Sequence, residues 1–145
     1  MAYSYRSLTE NDLRATYEIR FSVTENLIHG HQVKYLHREH ALDDIRQGGG
    51  WMCVAADGME VGFCLPLFIP EPYLAALFVL PEHQGKGVGS ALLELALEWL
   101  KERGGRLITL ETDPGSGAEV FYKNRGWKKT GVGELGIQNV YARQL

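Results

Sequence analysis

The run Gln84-Gly85-Lys86-Gly87-Val88-Gly89-Ser90 constrains this chain more than any other stretch. It sits directly between an apolar run, Tyr73 to Val79, and a long segment with helical apolar spacing. Three glycines on alternate positions let the backbone approach a ligand closely and turn several N–H groups toward it. The helix behind them adds its unsatisfied N–H groups and the positive end of its dipole. Together these features predict a cradle for a pyrophosphate, with Lys86 adding charge. Spacing excludes two common phosphate-binding patterns. A P-loop requires Lys followed by Ser or Thr, whereas Lys86 is followed by Gly87. A dinucleotide fingerprint needs a third glycine three residues after the second, and that position holds Ser90. A flavodoxin-like nucleotide binder is disfavoured on the same ground.

The rest of the chain supplies the frame for this turn. Residues 2–7 alternate and predict a first strand. Thr9 with Asp12 three residues on resembles a capping box, opening a helix through about Asn26. Its apolar face would use Leu13, Tyr17 and Phe21, broadened by Ile19 and Val23. Residues 27–49 are polar and histidine-rich, predicting a loop and a second helix that ends at Gly48-Gly49-Gly50. Trp51 to Ala56, Asp57-Gly58, then Glu60 to Ile69 reads as a hairpin, with Pro66 marking a bulge or an edge. Pro70-Glu71-Pro72 turns the chain into the strand Tyr73 to Val79. The helix after the glycine turn runs from about Gly87 to Arg103. Val88, Leu92, Leu95, Ala96, Trp99 and Leu100 form its apolar face, Glu94, Glu98 and Glu102 the other side, and Gly104-Gly105 the stop. Leu107 to Glu111 predicts a strand, and Ser116 with Glu119 caps a short helix carrying Phe121-Tyr122 and ending at Gly126. Two closing strands fit Trp127–Gly131 and Val140–Gln144. The expected class is α/β (α+β), with a mixed and mainly antiparallel sheet.

Length and charge narrow the function. At 145 residues, without repeats or linkers, one domain spanning 1–145 is expected. The net charge is −3 and no basic stripe occurs, which argues against nucleic-acid binding. An anionic ligand must therefore be held by local features. The amino terminus has no signal-peptide core and no run approaches 18 apolar residues, so the expected location is cytoplasmic, with no membrane partner. Cys53 and Cys64 lie in apolar strands and read as buried free thiols rather than a disulfide. His29, His31, His37 and His40 show His-x-His and His-x-x-His spacings. Without nearby cysteines, a surface or substrate-lining role is favoured over a metal, and no metal is expected.

The run Leu77-Phe78-Val79-Leu80-Pro81-Glu82-His83-Gln84-Gly85-Lys86-Gly87-Val88-Gly89 resembles the CoA-binding signature of the GNAT N-acetyltransferases, Gln/Arg-x-x-Gly-x-Gly/Ala with its preceding strand. Phe121-Tyr122-x-x-x-Gly126-Trp127 is similar to a second motif of that family. Specific matching covers about 50 residues, and the order of elements agrees along most of the chain. The resemblance implies a sheet splayed open in the middle, with acetyl-CoA as co-substrate entering between the strands at 73–79 and 107–111. Backbone groups of Leu77, Phe78 and Val79 would bond the pantetheine arm and the thioester carbonyl. Gln84 and the residues Gly85, Lys86, Gly87, Val88, Gly89 and Ser90 would form the cofactor site, and Tyr122 would lie near the sulfur. One departure stands out. The family often has Asn seven residues before the tyrosine; here that position is Gly115, with Ser116 beside it as a partial replacement.

Acetyl transfer needs a neutral amine, a polarised thioester and a protonated leaving thiolate. An alkylamine with a pKa near 10.4 is only about 0.1% neutral at pH 7.4, so a base or water chain helps. Glu25, Glu111 and Asp113 are the candidate bases, with Glu25 carried forward. Backbone N–H groups at a strand bulge can hold the oxyanion. Tyr122 can protonate the thiolate. Neither cysteine has a histidine partner in local sequence, which favours direct attack over an acyl-cysteine. The segment Arg20 to His40, with Trp51 and Tyr73, is expected to border the acceptor. A primary amine of a small molecule, such as an amino acid or an antibiotic, is the leading acceptor. A protein N-terminus or lysine, and a non-catalytic acyl-CoA-sensing module, stay open. An unpaired edge strand near the carboxyl terminus raises a homodimer.

Overall fold

A computed structural model of the chain describes residues 2–145. Seven strands form one mixed sheet in the order β1-β2-β3-β4-β5-β7-β6. The strands are β1 (Tyr3–Ser7), β2 (Trp51–Ala55), β3 (Glu60–Leu67), β4 (Tyr73–Val79), β5 (Leu107–Thr112), β6 (Lys128–Val132) and β7 (Asn139–Gln144). Four helices flank them: α1 (Leu13–Ser22), α2 (Arg38–Arg46), α3 (Val88–Glu102) and α4 (Gly117–Lys123). Neighbours pair antiparallel, except that β4 and β5 run parallel. That pair registers only at Tyr73↔Thr109, so the sheet opens beyond it. The α/β class with a splayed, mainly antiparallel sheet is as expected.

The long helix forms for the reason its sequence predicts. Val88, Leu92, Ala96, Trp99 and Leu100 are buried together with Leu93 and Leu97, while Glu94, Glu98 and Glu102 face solvent. Each such leucine removed from water contributes about 1.5–3 kcal/mol. Leu95 is only half-buried, because at 100° per residue it lies about 100° round the helix from Ala96, the middle of the buried stripe. Past the carboxyl end Gly104 turns to φ +89, and the Gly105 N–H donates to the Leu100 carbonyl at 2.9 Å. The face packs on β2, β3 and β4, where Met52, Cys53, Val61 and Cys64 are fully buried.

Two expectations for the first helix are corrected. It ends at Ser22 rather than near Asn26, and Phe21 is 65% exposed. At 100° per residue Phe21 lies about 140° round the helix from Thr16, the middle of the buried face Leu13, Thr16 and Ile19. The chain leaves the helix early because residues 23–28 run toward α4 and β5. There Glu25 accepts from the Gly117 N–H at 2.7 Å, and Asn26 accepts from the Asp113 N–H at 2.7 Å. The start is as anticipated: the Thr9 N–H donates to Asp12 at 2.8 Å, and Arg6 grips the same carboxylate from both nitrogens. This pairing holds the Asp12 carboxyl below its ordinary range.

Pro66 marks a bulge, not a sheet edge. β3 lies between β2 and β4, and the register slips at Leu65/Pro66, leaving Ala75 of β4 as the extra residue. A proline has no N–H to offer a ladder, so an irregularity there costs little.

Candidate active site

The opening between β4 and β5 contains two cavities that meet. One, of about 520 Å³, lies beside the glycine turn and is lined by Gln84, Gly85, Gly87, Gly89, Ser90 and Arg125, with Glu25 and Phe121 opposite. The other, of about 640 Å³, is walled by α1, β4 and β5 and roofed by the segment from Ile28 to Asp44. Asn26, Leu77, Phe78, Ala118 and Tyr122 line both and mark the junction. Leu77 and Phe78 of β4 thus stand with Tyr122 at the meeting point of the two cavities, and Val79 lies on the glycine-turn side.

The glycine turn has the geometry that its composition requires. Gly85 and Gly87 adopt φ +74 and +86, and a Cβ at either would point into open space. Their need for glycine is therefore conformational, with the cavity side left free. Gly89 is different: it is helical and faces the Phe121 ring. Lys86 is exposed beside the cavity, and the Val88 side chain is in the core, so Val88 offers only its backbone. The Gln84 amide donates to the Val79 carbonyl at 3.0 Å, tying the turn to the end of β4.

Arg125 is a residue of this cradle that the sequence reading missed. Its guanidinium lies 3.7 Å over the centre of the Phe121 ring and donates to Ser90 Oγ at 2.6 and 3.2 Å. A signal existed, since Phe121 and Arg125 are four apart and meet on one helical face.

Tyr122 is 7% exposed and packs edge-on against Phe121 and Trp127, with ring centres 5.2 and 5.5 Å away. Its hydroxyl makes no hydrogen bond to any described residue. Burial, with the nearby Cys64 as a smaller contribution, pushes its pKa well above the ordinary tyrosine value. The helix carrying it is anchored by Glu119, which is buried. Glu119 accepts from the Tyr141 hydroxyl at 2.5 Å, Asn139 Nδ2 at 2.8 Å and the Gly115 N–H at 2.7 Å. The Tyr141 bond, then those from Asn139 and Gly115, hold its carboxyl down to about 2. Glu119 was expected to complete a capping box with Ser116. Instead it reaches β7, and Ser116 Oγ donates to the Asp113 carbonyl at 2.8 Å, lining neither cavity.

The three candidate bases are separated. Glu25 caps α4 on the cofactor-side cavity, while Glu111 lines the other cavity. Asp113 is engaged by His29 Nε2 at 2.7 Å and by Gln138 Nε2 at 3.0 Å. The histidines do not gather. His29 and His31 stack at 5.7 Å, whereas His40 pairs with Asp44 at 3.4 Å on α2. His31 and His40 line the roofed cavity, with Tyr73 and Arg20; His29, His37 and Trp51 do not. Among the described residues, no group of three His, Cys, Asp or Glu side chains could hold a metal ion. Cys53 and Cys64 are free thiols buried in adjacent strands, and burial pushes the Cys64 thiol up to about 12.

A glycine turn beside a sheet opened between two parallel strands frames one continuous cleft. The acetyltransferase (GNAT) family profile matches residues 11–127, and the chain belongs to that family. It is 35% identical to the peptidyl-lysine N-acetyltransferase YjaB of Escherichia coli over 85 residues, 59% of this chain and 53% of that protein. It is 39% identical over 57 residues to an uncharacterized N-acetyltransferase of Methanocaldococcus jannaschii, which is 39% of this chain and 25% of that one. The chain thus spans about half or less of the length of these curated relatives. In structure it is similar to the PaiA N-acetyltransferase of Thermoplasma acidophilum solved with coenzyme A. The TM-score is 0.82, the identity 20%, and each chain is wholly covered. That likeness shows the fold.

Proposed function

We propose that this protein transfers the acetyl group of acetyl-CoA to a primary amine of a small molecule by direct attack. The observation that carries the acceptor class is the roofed cavity. At about 640 Å³ it falls in the usual range for small-molecule sites, about 300–1,000 Å³.

In this reading CoA lies along the glycine turn, with its pyrophosphate on the N–H groups of residues 85–90 and Arg125 at its flank. The pantetheine arm follows the open edge of β4, and the thioester carbonyl meets the backbone near Leu77 to Val79. The amine nitrogen enters from the roofed cavity, attacks the carbonyl carbon, and sheds its proton to Glu111 directly or through water. The C–S bond breaks and Tyr122 protonates the thiolate. Burial keeps the Tyr122 hydroxyl protonated and so available as a donor to the developing thiolate, while its raised pKa lowers its acid strength. Direct attack is supported by Cys64: a buried thiol pushed up to about 12 is a poor nucleophile at neutral pH. Glu25, held on the α4 N–H, acts here as a cap that shapes the cofactor side rather than as the base.

The E. coli relative's name favours a second reading, a peptide lysine as acceptor. Thiol release from acetyl-CoA, measured against a panel of small amines and lysine peptides, separates the two. Turnover with small amines at least about tenfold better in kcat/KM supports the proposal. Turnover confined to peptides overturns it, and binding without turnover leaves an acyl-CoA sensor.

A further inference from the structure

Among the described residues, Arg20 is the only lysine or arginine lining the roofed cavity, at the end next to the junction. Its guanidinium lies 4.2 Å over the Phe78 ring centre, and Nη1 donates to the Asn26 carbonyl at 2.6 Å. Phe78 and Asn26 are both junction residues. Among the described residues no carboxylate lies within ion-pair distance of Arg20. The nearest candidate in charge, Asp113, is already held by His29 and Gln138. Four of the five N–H donors of the guanidinium are thus left without a protein acceptor and open to the cavity. Burial lowers the Arg20 pKa, as it does for a cation short of partners. The acidic lining, Asp44, Glu71 and Glu111, belongs to α2, the β3–β4 turn and β5. The cavity is therefore divided by charge, with one fixed cation beside the junction and carboxylates elsewhere on its walls.

We infer that the acceptor is a free amino acid, whose carboxylate is bound by Arg20 and whose amine is thereby presented at the Phe78–Tyr122 junction. This rests on the small-molecule reading above. A planar guanidinium with free donors matches a carboxylate bidentately, and the partly desolvated site strengthens the pair. Stacking on Phe78 fixes the plane of the fork, so the carboxylate approaches from a single direction. Glu111, which lines the same cavity, is the proton acceptor that the proposed mechanism uses for the amine. A simple alkylamine would leave Arg20 unpaired in the cavity, and a peptide amide would offer it only a neutral oxygen.

The test compares each of the twenty free L-amino acids with its carboxamide and its decarboxylated amine, by thiol release from acetyl-CoA. For the best amino acid, kcat/KM should exceed that of its carboxamide by at least about thirtyfold, the scale of a charged hydrogen-bonded pair. In Arg20→Gln that ratio should fall to within about threefold of one, with Arg20→Lys intermediate, because lysine keeps the charge and loses the fork. A purely structural Arg20 would lower both substrates alike and leave the ratio unmoved, which overturns the inference. So does a wild-type enzyme that prefers the amide or the amine, and that comparison stands even where Arg20→Gln does not fold. Turnover of amines without preference sinks only this inference. Turnover of lysine peptides alone sinks the small-molecule reading and this inference together.

Discussion

Tyr122→Phe removes one oxygen and leaves the ring that packs between Phe121 and Trp127. The hydroxyl has no hydrogen-bond partner among the described residues, so its loss orphans no donor or acceptor. The melting temperature should change little, with stability altered by less than about 1 kcal/mol. Turnover should respond differently. Burial keeps this phenol protonated well above the ordinary tyrosine range, so the wild-type hydroxyl is a standing proton donor at the junction of the two cavities. Without it the thiolate leaves unprotonated, and kcat should drop about 10²–10⁴-fold, or roughly 2.7–5.5 kcal/mol of transition-state stabilisation. Acetyl-CoA affinity by calorimetry should stay within about threefold, since the interaction is specific to the transition state. The assay is steady-state thiol release with an accepted amine, single turnovers to establish that chemistry is limiting, and a melting curve. A folded variant that keeps more than about half of the wild-type turnover refutes the role of Tyr122. Thiolate release would then be assisted by water or by the amine's own proton.

Four further outcomes are expected. Gly87→Val should weaken acetyl-CoA binding at least tenfold, about 1.4 kcal/mol, because a β-branched residue does not hold φ +86 and its side chain would fill the ligand side of the turn; an unchanged calorimetric Kd in a folded variant argues against the cradle. Glu119, held down to about 2 from its ordinary 4.5, gives stability that is complete above pH 4.5 and disappears as pH falls through 2. Glu119→Gln should therefore melt lower at pH 7 and show a flatter decline between pH 5 and 2; parallel curves would exclude the linkage. Cys64→Ala should keep turnover, and intact-mass spectra of the wild type with acetyl-CoA alone should show no acetyl adduct; an adduct on Cys64 would establish a covalent route. Strand β6 has an unpaired outer edge with Val132 exposed beside it, so light scattering should give twice the 16.3 kDa chain mass; the monomer mass at micromolar concentration counts against a dimer.

The elements were legible in the sequence because their signals are local. A near-continuous apolar run marked β4 to the residue, Tyr73–Val79, and the 3.6-residue stripe with its glycine stop marked α3. The glycine turn was legible because a positive φ, adopted by Gly85 and Gly87, is a property of single residues. What the sequence alone left undecided involves partners far apart in the chain. Asn26 enters the site by bonding the Asp113 N–H, 87 positions away, and Glu25 reaches Gly117 across 92. These contacts, invisible to any periodicity, cut α1 short and moved Glu25 from the acceptor side to the α4 cap. Glu119 read as a local cap until β7 supplied Asn139 and Tyr141, which bind the carboxylate more strongly than its own turn could. Arg20 looked like any polar residue on a helix. Only the tertiary structure places it over Phe78, at the mouth of a cavity whose other charges are negative, because cavity walls are assembled from α1, β4, β5 and the 28–44 roof together.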